Sequence, residues 1–253
     1  SALLASLFKT HIPIIQVSAS CGGGAVALWN ALRLGYDNVL VLGTDRLAAN
    51  PRAETSSMIM QAADRVWEQQ EGLNFPSACA LFAQNYIQKY GITMADLSRI
   101  SWKNHQNAKL NPKSHFFQKE VTLEQINNSK IVAFPLRVHD CSFTANGADA
   151  VIISTKKSPI KIVGSGLATD TISAFERTET TSWPATSLAA KIAVEQAEIK
   201  PADINLAEVH DAFTITELMA YEDLGFAKRG KGVDLLKNKK VFLDGEMPIN
   251  TSG

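Results

Sequence analysis

Cys21 is the residue of this sequence best suited to act as a nucleophile. It follows an apolar run at residues 13–17 and is followed by glycines at 22–24, from which a helix is predicted over 24–34. A thiol at the start of a helix faces unpaired backbone N–H groups and the positive end of the helix dipole, which favours the thiolate. The alternative is a small buried apolar side chain, the commoner state of a free cysteine. The three glycines favour the nucleophile, because a structural cysteine does not need them.

A second polar pair stands at an equivalent point later in the chain. Residues 204–209 predict a strand and residues 214–224 predict a helix, with His210 and Asp211 at their junction. Ligands of open α/β sheets gather at the carboxyl ends of strands. We therefore expect Cys21 and His210 at corresponding positions in two similar α/β halves.

The elements that must position these residues follow from hydrophobic periodicity and from glycine and proline signals. Strands at 13–19 and 38–43 flank the first helix and predict a βαβ unit with parallel strands. Further predictions are a helix at 1–10, helices at 76–89 and near 94–107, an irregular loop over 104–112, a polar turn at Asn146-Gly147 before a strand or helix end at 148–153, a strand at 160–166 and a helix at 186–198.

The chain divides into two predicted domains, residues 1–158 and 159–253, at a Lys-Lys-Ser-Pro segment. Residues 51–138 are more polar and irregular, and we expect them to form a cap over the Cys21 site. The sequence starts without methionine and stops in a turn-rich segment, so we expect it to be an internal part of a longer protein.

The composition excludes several classes of protein. The chain has 253 residues, 45% of them hydrophobic, with 25 basic and 25 acidic residues that sum to zero charge. This balance of charges gives no indication of a basic patch that would bind nucleic acid. Three widely spaced cysteines form neither a disulfide framework nor a CxxC metal pair, which favours a cytoplasmic location. No apolar run reaches membrane-spanning length and no signal peptide is visible, so no membrane association is expected.

Five segments, taken in order, resemble motifs of the thiolase superfamily, in particular its sterol-carrier-protein-type and archaeal acetyl-CoA acetyltransferase branch. The nucleophile turn is similar to the family's Cys-(Ala/Ser)-(Ser/Thr)-Gly, although Gly22 and Gly23 replace the usual residues. The five segments are 17–24 (VSASCGGG), 105–112 (HQNAKLNP), 140–150 (DCSFTANGADA), 208–213 (EVHDAF) and 249–253 (INTSG).

The resemblance implies an α/β fold of the thiolase type, with two similar halves in a layered αβαβα arrangement. It implies an acyl-CoA C-acyltransferase of lipid metabolism, in which catalytic Cys21 accepts an acyl group and catalytic His210 contributes to an oxyanion hole. The family's Gly-His-Pro histidine and second cysteine would lie beyond Gly253. The expected substrate-binding residues are Gly22, Gly23, His105, Asp211, Phe213 and Gly253.

The resemblance also implies partners. CoA thioesters would be substrates, with no other cofactor and no metal. A homodimer or dimer of dimers is expected, paired through the strand at 38–43, and further subunits of an acyl-CoA complex are possible partners.

Several alternatives stay open at this stage. The chain could be a non-catalytic thiolase-like subunit that binds acyl-CoA or lipid, or a ketoacyl-synthase-type condensing enzyme. His105 could be an ordinary surface histidine. Cys79 is expected in the core, and His139 and Cys141 are expected to be packing residues.

Overall fold

The computed structural model describes residues 2–49 and 51–253. The chain forms two compact units: residues 1–55 with 144–162, and residues 56–143 with 163–253. The longer helices and strands are α1 (Ala2–Phe8), α2 (Gly23–Ala31), β1 (Asn38–Arg46), α3 (Arg52–Ile59), α4 (Phe75–Tyr90), α5 (Met94–Ala108), α6 (Leu123–Asn127), β2 (Ile131–Ala133), β3 (Leu136–Arg137), β4 (Asn146–Ser154), α7 (Pro184–Ala197), α8 (Thr214–Asp223) and α9 (Gly232–Lys237). The domain division at residue 158 stays a prediction.

The first unit is built on an antiparallel pair of strands. β1 pairs with β4 over its whole length, with Leu40 opposite Ile152. The predicted parallel βαβ unit is therefore wrong, since residues 13–19 form no strand ladder in the described part of the chain. The apolar run predicted a buried strand, but its partner depends on segments far away in the sequence. Asn146 and Gly147 open β4 instead of forming a turn.

The second unit packs α4, α5 and α8 around a shared apolar core. Tyr86 on α4, Leu97 and Ile100 on α5, and Leu218 and Met219 on α8 have no solvent exposure. The predicted helices at 76–89, 94–107 and 214–224 are confirmed within one or two residues of their ends.

Local signals explain where two of these helices begin and end. Asn74 accepts a hydrogen bond from the Ser77 N–H at 3.0 Å and starts α4, while Gly91 ends it with φ of 69°. Thr93 and Asp96 form a capping box at the start of α5. The predicted loop over 104–112 is wrong for its first half, because α5 continues to Ala108. Its asparagines make tertiary hydrogen bonds, whereas the sequence suggested a loop.

Two predicted strands in the second half are also not formed as regular elements. Residues 160–166 form no strand ladder with the described residues, and residues 204–209 contribute only a parallel bridge between Ala207 and Ile249. Within the second unit, Gly166 packs directly against α7. A Cβ there would lie 1.9 Å from the carbonyl oxygen of Ala189. The glycine at 166 therefore reflects close packing onto a helix, whereas the apolar side chains of Ile160, Ile162 and Val163 are exposed.

Across residues 2–49 and 51–253, no helix is both long and apolar enough to cross a membrane. The same residues contain no group of three or more His, Cys, Asp or Glu side chains placed to hold a metal ion. Cofactor use and location in the cell stay predictions.

Candidate functional site

Cys21 lies in a short 3₁₀ turn, Ser20–Gly22, immediately before α2 begins at Gly23. Ser20 has φ of 49°, a left-handed conformation that non-glycine residues rarely adopt. Such strain is concentrated at functional sites. The cysteine is exposed, as expected for a reactive thiol.

The glycines after Cys21 have a different structural role from the one expected. Gly22 and Gly23 have φ of −83° and −55°, values that any residue can adopt. A Cβ added at Gly22, Gly23 or residue 24 would meet no atom within 4 Å. The left-handed position in the turn falls on Ser20, and the glycines leave open space beside the thiol.

The other two cysteines are placed as packing residues. Cys79 lies in the core of the second unit and is 6% exposed. The thiol of Cys141 donates to the carbonyl oxygen of Arg137 at 3.4 Å. Burial and the nearby Asp140 carboxylate raise the pKa of Cys141 to about 12. The Cys141 thiol is therefore protonated at neutral pH, and Cys21 is the exposed one of the three cysteines.

In the second unit, the segment that carries His210 is held by the loop around Asn250. The N–H of Val209 donates to Asn250 Oδ1 at 2.7 Å. The N–H of Asn250 donates to the Ala207 carbonyl at 2.9 Å, and the N–H of Ala207 donates to the Pro248 carbonyl at 3.0 Å. Two motifs that are distant in the sequence, 208–213 and 249–253, therefore lie side by side.

Glu208 adds a second set of bonds between these two motifs. Its carboxylate accepts from Thr251 Oγ1 at 2.6 Å and from Ser252 N and Oγ at 3.0 and 2.8 Å. Burial alone would raise the pKa of Glu208, but the hydrogen bonds from Thr251 and Ser252 outweigh it and lower the pKa below its usual value. Glu208 is therefore ionised at neutral pH and bonds the 251–252 turn.

A buried polar network joins this pair of segments to α5 and α8. Lys103 Nζ lies 2.9 Å from Glu217 Oε1, and neither side chain is exposed. The same ammonium donates to the Ile249 carbonyl at 2.6 Å. Asn104 Nδ2 donates to Asp211 Oδ2 at 3.0 Å and to Glu217 Oε2 at 2.6 Å.

Sequence reasoning did not identify Lys103, Asn104 or Glu217 as part of a site. The available signal was a run of polar residues, 103–107, that interrupts an otherwise amphipathic helix. Lys103 has no exposed surface, which a sequence pattern alone does not predict.

The electrostatics of His210 and Asp211 follow from this environment. Burial and the Glu217 carboxylate raise the pKa of Asp211 to about 6, although Lys103 opposes the shift. Desolvation by the surrounding protein lowers the pKa of His210 below its usual value, although the residue is exposed. The imidazole of His210 is therefore neutral at pH 7, and its ring N–H can donate a hydrogen bond to a developing oxyanion.

His105 lies on α5 beside this network but contacts other groups. Its Nδ1 donates to the carbonyl of Ser101 at 2.8 Å, which leaves Nε2 as a buried acceptor with no protein partner among the described residues. The ring packs against Phe116 and His139, at centroid distances of 4.6 and 5.3 Å. Burial lowers the pKa of His105. Its role in substrate binding stays a prediction.

Phe213 and Gly253 are placed by packing. Phe213 is 7% exposed and forms an isolated antiparallel β-bridge with Cys141. This buried position is typical of an apolar residue that supports a neighbouring segment. Gly253 has φ of 86°, and a Cβ there would lie 2.2 Å from the backbone nitrogen of Ala108. Glycine is therefore required where this turn meets the end of α5.

Residues 1–134 match the family model described as "Thiolase, N-terminal domain", and residues 166–253 match "Thiolase C-terminal domain-like". The chain belongs to the thiolase family. The resemblance inferred from the five motifs is thereby confirmed.

The relatives of this thiolase-family chain support the branch that was expected. It is 38% identical over 255 residues to "Acetyl-CoA acetyltransferase" of Methanothermobacter thermautotrophicus, covering 96% of this chain and 66% of that protein. It is 33% identical to "Sterol carrier protein 2" of Gallus gallus, covering 100% of this chain and 50% of that protein. The chain thus spans about two thirds and one half of these relatives.

A solved structure of the "Ltp2-ChsH2(DUF35) aldolase" resembles the thiolase-family chain with a TM-score of 0.80 and 28% identity, over 92% of this chain and 63% of that one. The predicted α/β fold of the thiolase type is confirmed by the two family models.

Proposed function

We propose that this chain is part of an acyl-CoA C-acyltransferase that makes or cleaves 3-oxoacyl-CoA through an acyl group carried on Cys21. The observation that carries the proposal is the exposed Cys21 in a strained turn at the start of α2, in a thiolase-family chain. The name of the relative from Methanothermobacter thermautotrophicus supports the acyltransferase class.

The first half-reaction transfers an acyl group from CoA to the enzyme. The Cys21 thiolate attacks the thioester carbonyl, the carbon–sulfur bond to CoA breaks, and the CoA thiolate leaves and takes up a proton. Open space at Gly22 and Gly23 gives the incoming thioester access to the sulfur. In the second half-reaction of synthesis, a base removes the α-proton of another acyl-CoA, and the resulting carbanion attacks the acyl-enzyme and releases the Cys21 thiolate. Cleavage runs in reverse: the Cys21 thiolate attacks the 3-oxo carbon, the carbon–carbon bond breaks, the leaving carbanion is protonated, and a CoA thiolate then takes the acyl group from Cys21.

His210 supplies a donor for an oxyanion in this proposal. Its lowered pKa keeps the ring neutral, and the bonds of Val209 to the Asn250 loop fix the backbone beside it. A neutral hydrogen-bond donor on a fixed backbone segment stabilises the negative charge that develops in the transition state, because the protein does not need to reorganise around that charge. Asp211, Phe213 and Gly253 support the segment. Gly22 and Gly23 in the first unit and, separately, His105 in the second unit are proposed as acyl-CoA-binding residues.

The direct test is mass spectrometry of the full-length protein after incubation with acetyl-CoA. We expect an added acetyl group on Cys21, lost in Cys21→Ser. The His210→Ala variant should keep acylation but lose turnover by about 10²–10³-fold. Acylation on Cys79 or Cys141, or turnover that survives Cys21→Ser, would contradict the proposal. CoA binding without acylation would favour a non-catalytic subunit.

A second candidate function is carbon–carbon cleavage of a 3-hydroxyacyl-CoA by an aldolase-type reaction. The likeness to the aldolase structure, with a TM-score of 0.80, favours it. An aldolase reaction needs a base and an oxyanion donor but no acyl-enzyme, so Cys21→Ala would leave it intact. Assay of both reactions with Cys21→Ala separates the two functions, because only acyl transfer requires the thiol.

The assembly and location of the protein are also proposals. We propose a homodimer, with β1 as the candidate pairing strand, and a cytoplasmic location. The aldolase of the similar solved structure carries two protein names, Ltp2 and ChsH2, which supports a search for a partner subunit. Light scattering of the full-length protein across micromolar concentrations tests the dimer, and a monomer throughout that range would contradict it.

A further inference from the structure

We propose that Asn104 is the positioning residue for the turn that carries His210, because its side-chain amide bridges the carboxylates of Asp211 and Glu217. The inference rests on the proposed function, since it assigns a support to the proposed oxyanion donor. All of the residues involved belong to the second unit.

The hydrogen bonds of Asn104 fix the orientation of its amide. Nδ2 carries two protons and makes two bonds, to Asp211 Oδ2 at 3.0 Å and to Glu217 Oε2 at 2.6 Å. Oδ1 accepts from Lys103 Nζ at 2.5 Å. The opposite orientation would place a carbonyl oxygen against two carboxylates and an NH₂ group against an ammonium, so the network permits one arrangement.

A neutral amide is the side chain that this position requires. It lies between one cation and two anions, and it must both accept and donate. Aspartate would place a third carboxylate beside Asp211 and Glu217, whereas leucine would leave buried polar groups without partners. The position is thus chemically specific and not only a matter of volume.

The charged and titratable groups around Asp211 come from every element packed against it. α5 contributes Lys103, α8 contributes Glu217 and Tyr221, and the segment itself contributes Glu208 and His210. Lys103 bonds Glu217 directly, and Tyr221 also donates to Glu217.

Asp211 itself depends on Asn104. Among the described residues, the side chain that donates to the Asp211 carboxylate is that amide, at 3.0 Å. Asn104 therefore provides the bond that ties Asp211 to α5.

The turn around His210 is consequently held at both ends. On one side, Val209 bonds Asn250. On the other, Asp211 bonds Asn104, while Thr216 Oγ1 donates to the His210 carbonyl at 3.2 Å. Loss of Asn104 releases the second end, so the backbone that carries the imidazole loses one of its supports, while substrate contacts elsewhere are kept. This predicts a fall in kcat with KM little changed.

The first experiment needs no variant. In the full-length protein, NMR spectra are recorded over a range of pH. The chemical shifts of the Asn104 side-chain amide and of the Asp211 carboxyl carbon should change with one shared midpoint. A shared midpoint supports the bridge. Separate midpoints, or an Asn104 amide whose chemical shift does not change with pH, overturn the proposed bridge, whatever the activity of the enzyme.

The second experiment compares Asn104→Asp with Asn85→Asp. Asn85 is an exposed residue of α4 whose Nδ2 bonds Thr180 Oγ1 at 3.1 Å, so the control makes the same chemical change outside the network. We expect Asn104→Asp to lower kcat about 10- to 100-fold with KM within about twofold, and to raise the midpoint of Asp211 by about one pH unit. Asn85→Asp should change neither.

A double variant that exchanges the side chains of residues 104 and 211 distinguishes a loss of positioning from general structural damage. Asn104→Asp combined with Asp211→Asn restores one amide, one carboxylate and the original charge, and we expect part of the lost kcat to return. If the single and swapped variants lose kcat equally, or if Asn104→Asp behaves like Asn85→Asp, the inference fails. A wild-type protein that is inert with acyl-CoA would instead refute the proposed function, and the NMR titration would still decide the role of Asn104.

Discussion

The ammonium of Lys103 lies 2.9 Å from Glu217 Oε1, and both side chains are completely buried. Glu217 also accepts hydrogen bonds from Tyr221, Asn104 and Asn250. A buried ion pair is tolerated only when its remaining polar groups are satisfied. This pair therefore links α5, α8 and the Asn250 loop, and Asn104 connects Glu217 to Asp211.

Removal of one partner of this pair should be costly. We expect Lys103→Met to lower the free energy of unfolding by about 3–5 kcal/mol, because it leaves the Glu217 charge buried without a counter-ion. The double variant with Glu217→Gln should lose less than the sum of the single losses. Urea denaturation measures both. The control is Lys191→Met, since Lys191 and Glu195 form an exposed pair at 3.8 Å that should contribute less than about 1 kcal/mol. Equal losses at both sites would contradict the prediction.

Asp211 should make the stability of the protein depend on pH in an unusual direction. Its pKa is raised to about 6 in the folded state, from about 3.9 in an unfolded chain. Between these two pKa values the folded state binds more protons than the unfolded state. The buried carboxylate therefore lowers the free energy of unfolding fully above pH 6, and this loss of stability is relieved as the pH falls toward 4. We expect Asp211→Asn to stabilise the protein at pH 7.5 by up to about 3 kcal/mol, with a gain that vanishes near pH 4. Thermal unfolding across this range measures it, and a pH-independent difference would refute it.

His105 should act in the opposite direction. Burial lowers its pKa in the folded state, so its contribution to stability is complete above the unfolded value of about 6.5 and is lost as the pH falls through the folded value. We expect His105→Phe to reduce the loss of stability between pH 7 and pH 5. His115→Phe is the control, because His115 is an exposed residue on the neighbouring turn. Identical pH profiles for wild type and His105→Phe would exclude this role.

The three thiols should differ clearly in reactivity. Cys21 is exposed, Cys79 is buried, and the pKa of Cys141 is raised to about 12. Iodoacetamide at pH 7.5, followed by peptide mass spectrometry, should label Cys21 at least about tenfold faster than the others, since the thiolate is the reacting form. Preferential labelling of Cys79 or Cys141 would show that exposure in solution differs from that in the structure.

Gly166 should not tolerate a side chain. A Cβ at this position would lie 1.9 Å from the backbone oxygen of Ala189 in α7. We expect Gly166→Ala to destabilise the protein by about 1–3 kcal/mol, the usual cost of overpacking. Gly24→Ala is the matched control, because a Cβ there meets no atom within 4 Å and alanine is the better helix residue by up to about 1 kcal/mol. The prediction fails if the two substitutions have equal effects in a chemical denaturation experiment.

The sequence by itself determined the family and most of the helices of this protein. The helices α4, α5 and α8 follow from local periodicity and from caps such as Asn74, Gly91 and Thr93. The motif around Cys21 was recognisable for the same reason, because a nucleophile, a turn and a helix start lie within a few residues of one another.

Strand pairing was decided by the tertiary structure. β1 pairs with β4, whose residues lie 100 to 116 positions later in the chain, and nothing in either segment encodes that partner. Residues 13–19 and 160–166 have strand-like composition, but the ladder hydrogen bonds that would make them strands depend on distant chain segments.

The support of the candidate site was decided in the same way. Lys103, Asn104 and Glu217 are ordinary helix residues in the sequence, and their burial follows only from the packing of α5 against α8 and the Asn250 loop. A local pattern fixes which face of a helix is apolar, whereas the position of a buried charge depends on which partners the fold brings to it. The chemistry around Asp211 is therefore a property of the tertiary structure.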